Sequence, residues 1–195
     1  MSQIEYNRPF IPEKANHYIS DCLLQRDFEN GKYINHCLNT LKKNTKSKNI
    51  FLTSSCTSAL EMIALLLELE VGDEIIMPSY TFVSTANAFV LRGAVPVFID
   101  IRSDTLNINE RLIEKAITEK TKAIVVVHYS GIACDMDSIL KIAAKYKLPV
   151  IEDAAHCIDS YYKNNHLGTL GTFSTFSFHH TKNISAGLGG ALLVN

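Results

Sequence analysis

The chain has 195 residues, of which 47% are hydrophobic and 20% charged, and its formal net charge is −1 at pH 7. This composition is typical of a globular domain with a substantial core, and it lacks the concentrated positive surface on which nucleic acid binding depends. No apolar run approaches the length of a membrane span, and the polar N-terminus lacks the apolar core of a signal peptide. We therefore expect a cytoplasmic protein that binds neither nucleic acid nor membranes.

From residue 49 onwards, short apolar segments of β-rich composition alternate with helical patterns. The predicted strands are 49–55, 73–80, 95–101, 122–129, 148–155, 172–178 and 189–195. The predicted helices are 57–70, 81–93, 109–117 with Asn107 or Asn109 as its cap, and one that begins behind Asp135. This alternation predicts an α/β fold with a mostly parallel, seven-stranded sheet and helices on both faces. We expect residues 1–48 to form an N-terminal helical segment of the same domain, and residues 49–195 the α/β domain itself.

Open α/β sheets bind ligands outside the carboxyl ends of their strands, so polar residues at those ends are candidate site residues. Thr57 and Ser58 open the helix after the first strand, where free N–H groups and hydroxyls suit a phosphate. For a Ser/Thr pair taken alone, ordinary helix capping is the simpler explanation. The sequence has neither G-x-G-x-x-G nor G-x-x-x-x-G-K-[ST], so a dinucleotide or a nucleoside triphosphate is not the indicated ligand.

Asp153 and Lys182 follow the fifth and sixth predicted strands. A carboxylate at the mouth of a buried strand is costly unless a cation pairs with it, so Asp153 either caps the next helix or pairs with the protonated pyridine nitrogen of pyridoxal phosphate. Lys182 alone is typical of a solvated loop lysine, whereas a lysine that forms a Schiff base needs a partly desolvated pocket. We predict that Phe176 and Phe178, together with the small residues after the lysine, supply such a pocket.

A metal site is not predicted. The five cysteines are widely spaced and form no CxxC pair, which argues against a disulfide framework and a structural zinc site. His179 and His180 are adjacent in an extended segment, so their side chains point in opposite directions and cannot form a helical pair of zinc ligands.

Four segments occur in the order in which a known family has its motifs: SSCTSAL (54–60), GDEIIMPSYTFVSTANAFVLRGAVPVFID (72–100), VIEDAAH (150–156) and FSFHHTKN (176–183). Through them the chain resembles the pyridoxal-phosphate-dependent nucleotide-sugar aminotransferases, the DegT/DnrJ/EryC1/StrS family, over nearly its whole length. The run MPSYTFVSTANAFVLRGA (77–94) is very similar to the branch that makes dTDP-4-amino-4,6-dideoxygalactose. The resemblance implies the large domain of a fold-type I pyridoxal phosphate enzyme.

Carried over residue by residue, the resemblance implies a complete cofactor site. Lys182 would hold pyridoxal phosphate covalently and act as the catalytic acid and base, Asp153 would pair with the pyridine nitrogen, and Phe82 would stack on the ring. The residues implied to hold the phosphate are Thr57, Ser58 and Ser177.

The chain also departs from the family pattern at several positions. His156 stands where the family often has Gln, near the phenolic oxygen of the cofactor, and either residue can form a hydrogen bond there. His179 is expected in the same pocket without an assigned role. Leu188 stands before Gly189–Gly190, where the family commonly has an acidic residue, and its role is not assigned either. Residues 26–37 replace a more glycine-rich loop expected near the substrate. Family members continue into a C-terminal domain, so we expect this chain to be truncated, with that domain absent.

The resemblance implies transfer of an amino group from glutamate to the C4 ketone of a dTDP-4-dehydro-6-deoxyhexose, for surface polysaccharide or O-antigen (lipopolysaccharide) biosynthesis. It also implies a homodimer in the full-length form. One alternative is a sugar dehydratase of the same fold, in which a histidine typically replaces the lysine. Another is a truncated, inactive homologue that acts only as a binding protein.

Overall fold

A computed structural model describes residues 7–26, 28 and 31–195 of the chain. The helices are α1 (Ala15–Gln25), α2 (Lys32–Thr45), α3 (Cys56–Leu66), α4 (Val83–Val90), α5 (Glu110–Ala116) and α6 (Met136–Tyr146), with a short 3₁₀ helix at Tyr129–Gly131. The strands are β1 (Asn49–Thr53), β2 (Glu74–Pro78), β3 (Val95–Ile99), β4 (Thr121–Val127), β5 (Val150–Asp153), β6 (Tyr161–Tyr162), β7 (Asn165–His166), β8 (Phe173–Ser177) and β9 (Gly190–Val194). Parts of the predicted segments 1–48 and 26–37 lie outside the described residues, and the predicted domain limits stay a prediction.

Seven strands form one sheet in the order β1-β9-β8-β5-β4-β2-β3. Strand β9 is antiparallel to both of its neighbours, β1 and β8, and the other neighbouring strands pair in parallel. The prediction of a mostly parallel, seven-stranded sheet is therefore confirmed. Strands β6 and β7 form a separate hairpin.

The sheet is covered on both faces, as predicted, and β4 shows why its sequence is a continuous apolar run. Ala123 and Val125 pack with α3 and α4 on one face, and Ile124 and Val126 pack with α5 and α6 on the other. Successive strand residues point to opposite faces, so a strand that is buried on both sides favours apolar residues at every position. Each of these buried branched side chains contributes about 1.5–3 kcal/mol to stability, which fixes the sheet on which the site is built.

Helix α3 is shorter than predicted. It was expected over 57–70, but it ends at Leu66 because Glu68 adopts a left-handed conformation (φ 51°) that turns the chain and places Leu69 in the core. At the start of α5, Asn109 is the cap and accepts a hydrogen bond from the Arg111 N–H.

The other predicted cap, Asn107, instead holds a loop together. Its buried amide donates a hydrogen bond to the Ile132 carbonyl and accepts one from the Tyr129 N–H. The hairpin turn between β6 and β7 lies at Lys163–Asn164, where both residues adopt the positive φ angles of a two-residue hairpin turn. Among the described residues, no helix combines the length and apolarity that crossing a membrane requires.

Candidate active site

A cavity of about 540 Å³ opens at the carboxyl edge of the sheet, between the segments that follow β1, β2, β4, β5 and β8. The predicted site residues that line it are Thr57, Phe82, Asp153, His156, Ser177 and Lys182. His179 and Leu188 also line the cavity. Ser58 does not: its N–H donates to the Ser55 hydroxyl, and its own hydroxyl lies 3.0 Å from those of Ser54 and Ser55. The predicted contact of Ser58 with a phosphate stays a prediction.

The N-terminus of α3 forms one end of this cavity. Ser55 caps the helix by accepting the Ser58 N–H, and within the described part of the chain the N–H groups of Cys56 and Thr57 have no hydrogen-bond partner. The buried hydroxyl of Ser177 lines the same cavity. Unsatisfied N–H groups at a helix start favour an anion, so this end of the cavity suits a phosphate group.

Gly190, the first residue of β9, packs directly against this helix start. A Cβ atom at this position would lie 2.4 Å from the carbonyl carbon of Ser55 and 2.5 Å from the nitrogen of Cys56, closer than real Cβ atoms approach. Glycine therefore lets the last strand of the sheet reach the backbone that begins α3.

We expect Gly190→Ala to push the start of α3 away and to weaken pyridoxal phosphate binding by roughly 10- to 100-fold, the effect of losing one hydrogen bond to a charged group. Titration of the visible absorption of bound cofactor measures this affinity. Gly171→Ala is the matched control, because its Cβ would lie 2.6 Å from the Val150 carbonyl oxygen but Gly171 does not line the cavity. Equal affinity losses in the two variants would contradict a specific role for Gly190.

Asp153 is buried at the end of β5, with only 5% of its surface exposed. One carboxylate oxygen accepts a hydrogen bond from the Thr85 hydroxyl at 2.8 Å, and the other accepts the Ala155 N–H at 3.2 Å. The Thr85 hydroxyl lies 2.7 Å from that of Thr81, so α4 orients the carboxylate. Thr85 was missed at the sequence level, where its spacing from Thr81 is only that of two residues on one helix face.

Lys182 lies half-buried in the loop between β8 and β9. Burial lowers the pKa of its amine, while the nearby Asp153 carboxylate opposes that shift. The loop is closed at its base by hydrogen bonds that Phe178 N–H donates to Gly189 and that Ala186 N–H donates to Phe178. The lysine is therefore held at the cavity by a closed loop, and the expectation that it is more than a solvated charge is supported by its burial.

The aromatic wall predicted for this lysine is wrong. Phe176 is fully buried against His166, and neither it nor Phe178 lines the cavity. The reason is strand alternation: Ser177 faces the cavity, so its neighbours on either side point away. The apolar part of the wall instead comes from other elements, with Leu60, Phe82, Val127, Ala155 and Leu188 among its residues.

Two tyrosines and His156 form a connected part of the wall. The hydroxyl oxygens of Tyr80 and Tyr129 lie 2.9 Å apart, and the Tyr129 ring meets the His156 ring edge-on at 5.8 Å between centroids. The Ser130 N–H donates to Nδ1 of His156, so the neutral ring carries its proton on Nε2. Burial, with the positive charge of Lys182, lowers the pKa of His156, which keeps the ring neutral near pH 7.

A buried pair that was not predicted from the sequence joins the end of β4 to β5. Glu152 and His128 are fully buried, with Nε2 of His128 2.9 Å from a Glu152 oxygen. Nδ1 of His128 accepts the Cys134 N–H, so Nε2 carries the proton that is donated to the carboxylate. The Glu152 carboxylate also accepts three backbone N–H groups, those of Gly168, Leu170 and Gly171.

These contacts determine the charge state of Glu152. Burial by itself would raise its pKa, but the hydrogen bonds from His128 and the backbone outweigh burial and hold the pKa below its ordinary value. The ionised carboxylate thus ties the end of β4 to the loop before β8. At the sequence level, the only signal was one acidic residue inside an otherwise apolar strand. Within the described residues, no group of three or more His, Cys, Asp or Glu side chains could hold a metal ion.

An open helix start, a buried carboxylate and a half-buried lysine on such a sheet are the features that a pyridoxal phosphate site requires. The structure matches that of Spr1654 from Streptococcus pneumoniae, assigned as a sugar aminotransferase, with a TM-score of 0.94 and 31% identity for its PLP form. The match covers 100% of this chain and 53% of Spr1654, and the PMP form matches with a TM-score of 0.95. The predicted fold, the large domain of a fold-type I enzyme, is confirmed.

The chain belongs to the DegT/DnrJ/EryC1/StrS aminotransferase family, whose sequence model matches residues 9–195. MJ1066, an uncharacterized protein from Methanocaldococcus jannaschii, is 50% identical over 144 residues, which are 74% of this chain and 37% of MJ1066. The structure of Escherichia coli GDP-4-keto-6-deoxy-D-mannose-3-dehydratase with bound hydrated PLP matches with 27% identity and a TM-score of 0.90, over 96% of this chain and 50% of the dehydratase. The chain thus spans about half, or less, of the length of these relatives.

Proposed function

We propose that this chain is the cofactor-binding part of a pyridoxal-phosphate-dependent sugar aminotransferase. One observation carries the proposal: a half-buried lysine with a lowered pKa shares a cavity with a buried carboxylate and an open helix start. The PLP and PMP forms of Spr1654 support the choice of cofactor. Membership of an aminotransferase family supports the choice of reaction.

The residues present fit this cofactor. The N–H groups of Cys56 and Thr57, with the Ser177 hydroxyl, would hold its phosphate, because they are donors left open at a helix start. Asp153 would keep a proton on the ring nitrogen, since Thr85 and Ala155 already orient its carboxylate.

The remaining contacts would come from the walls of the cavity. Phe82 is 73% exposed at the first turn of α4 and would cover one face of the ring. His156 would donate its Nε2–H, since Nδ1 is occupied by Ser130. When bound, pyridoxal phosphate supplies an electron-withdrawing ring that stabilises negative charge on a substrate carbon.

Lys182 carries the chemistry that the protein itself contributes. Its lowered pKa favours the neutral amine, which would hold the cofactor covalently. Once the amine of the donor has displaced it from the cofactor, the freed amine could take up and return a proton at the substrate carbon.

We further propose that glutamate is the amino donor and that the C4 ketone of a dTDP-4-dehydro-6-deoxyhexose is the acceptor, giving 2-oxoglutarate and a 4-amino sugar for surface polysaccharide or O-antigen biosynthesis. The resemblance of residues 77–94 to the branch making dTDP-4-amino-4,6-dideoxygalactose supports this choice. A homodimer and a cytoplasmic location belong to the same proposal.

Product analysis tests the function. The chain, and a version extended at its C-terminus, would be incubated with pyridoxal phosphate, glutamate and dTDP-4-dehydro-6-deoxyglucose, and the nucleotide sugars separated by mass. We expect an amino sugar together with 2-oxoglutarate. Loss of water from the sugar would favour the dehydratase. Two observations support this alternative function: the similarity to the E. coli dehydratase, and His179, which lines the cavity together with Lys182. Cofactor binding without turnover of either kind would favour a protein that only binds partners.

A further inference from the structure

We propose that Tyr80 and Tyr129 form the subsite that binds the hexose ring of the acceptor, an inference that rests on the proposed sugar aminotransferase function. Their ring centroids lie 4.7 Å apart with an angle of 46° between the planes, and both side chains line the cavity. The two residues follow β2 and β4, which are neighbours in the sheet, so the pair has a rigid foundation.

Both tyrosines of this pair offer an uncharged phenol group to a ligand. The two phenol oxygens share one hydrogen bond of 2.9 Å, and a phenol can both donate and accept. Whichever oxygen donates, Tyr80 keeps either its hydrogen or its lone pairs for a ligand, and 42% of its surface is exposed. A sugar ring offers matching hydroxyl groups at its rim and C–H groups that pack on an aromatic face.

The position of Tyr129 is fixed from several sides. Asn107, which is 1% exposed, accepts the Tyr129 N–H and donates to the Ile132 carbonyl, so it holds the loop from Tyr129 to Ile132 at both ends. The ring meets His156, whose Nδ1 is itself held by the Ser130 N–H. A subsite built on such contacts loses little freedom when a ligand binds.

Charge separates this subsite from one for the amino donor. The α-carboxylate of the donor needs a cation to bind. Among the described residues that line the cavity, Lys182 is the only lysine or arginine, and in the proposed function its amine holds the cofactor and transfers the proton. The Tyr80–Tyr129 wall carries no formal charge and therefore suits the uncharged hexose better than a dicarboxylic acid.

Proximity to the reacting groups identifies which part of the nucleotide sugar binds here. Tyr129 contacts His156, and both tyrosines line the same cavity as His156, Lys182 and Asp153, so they lie close to the groups that would react. The reacting ketone is on the hexose, whereas the nucleotide is separated from it by a diphosphate. The hexose is thus the part that this wall meets.

The test is calorimetric titration of the cofactor-loaded protein, reduced with borohydride so that it cannot turn over, with dTDP-4-dehydro-6-deoxyglucose and separately with glutamate. We expect Tyr80→Phe and Tyr129→Phe each to raise the Kd for the sugar roughly 2- to 10-fold, the effect of one neutral hydrogen bond, with a smaller change for glutamate. Tyr161→Phe is the matched control, because it removes a phenol that bonds Asp159 on the separate hairpin, and it should change neither affinity.

Each possible result of this titration either supports or overturns the assignment of Tyr80 and Tyr129 to the hexose subsite. Unchanged sugar affinity in Tyr80→Phe, equal losses for sugar and glutamate, or no sugar binding by the unaltered chain would overturn it. Selective loss of sugar affinity supports it even if the unreduced protein transfers no amino group, in which case the proposed function alone fails.

Discussion

Replacing Lys182 with alanine is expected to abolish covalent attachment of pyridoxal phosphate and to lower amino transfer by at least about 10²- to 10⁴-fold, the usual contribution of a positioned acid–base group. The physical reason is that, among the described residues lining the cavity, no other amine can take its place. Visible absorption after cofactor addition, and borohydride reduction followed by peptide mass analysis, would both report the attachment.

The control for this substitution is Lys141→Ala, which removes an exposed lysine from α6 and should leave both readouts unchanged. The pH dependence gives a second check. Since burial lowers the pKa of Lys182 below its ordinary 10.5, the reactive neutral amine forms at lower pH than in a solvated lysine. Attachment should therefore become faster as pH rises and reach its plateau before pH 10.5. If the peptide that carries the cofactor after borohydride reduction does not contain Lys182, then another residue attaches the cofactor and the assignment of Lys182 is wrong.

Glu152→Gln is expected to lower the free energy of unfolding by at least about 1–3 kcal/mol, the cost of leaving a buried hydrogen-bond donor unsatisfied. A glutamine amide would turn its own N–H groups toward donors that the carboxylate now satisfies: His128 and the backbone of residues 168–171. Urea unfolding at pH 7 measures the loss. Glu114→Gln is the matched control on the surface, where the carboxylate bonds Lys145 and Tyr146, and it should cost no more than about 1 kcal/mol.

The Glu152–His128 pair also makes the free energy of unfolding depend on pH. The pKa of Glu152 is lower in the folded chain than the ordinary value of about 4.3, so the unfolded chain binds its proton first. The stabilisation is present above that ordinary value and is lost as pH falls through the lower folded value. The difference in stability between the unaltered chain and Glu152→Gln should therefore shrink below about pH 4. A difference that stays constant from pH 7 to pH 3 would contradict the assignment of an ionised Glu152.

Most of the fold was predictable because the sheet strands are short, apolar and separated by helical patterns. Val125 and its neighbours in β4 illustrate this, since a run without polar positions fits only a strand covered on both faces. The cavity residues were predictable for a related reason: the carboxyl ends of parallel strands meet at one edge. Asp153, Ser177 and Lys182 therefore reached the same cavity although they are distant from Thr57 in sequence.

What could not be predicted depends on tertiary contacts that leave no local pattern. Gly190 is required only because the backbone of Ser55 passes beside it, and Glu152 is tolerated only because four donors converge on it. The error over Phe176 had a simpler origin. Phe176 lies in the strand as predicted, but it alternates with Ser177, which faces the cavity, so its own side chain points to the opposite face of the sheet.

The antiparallel last strand has a consequence for how the site comes into being. Strand β1 lies at the edge of the sheet and pairs only with β9, with Asn49 opposite Val194, so it finds its partner only when the segment at residues 190–194 is in place. Contacts so far apart in sequence form slowly, because the loop between them must close first. The helix start after β1 and the loop that carries Lys182 meet through that same strand. We therefore expect the far edge of the sheet and the cofactor pocket to assemble together during folding.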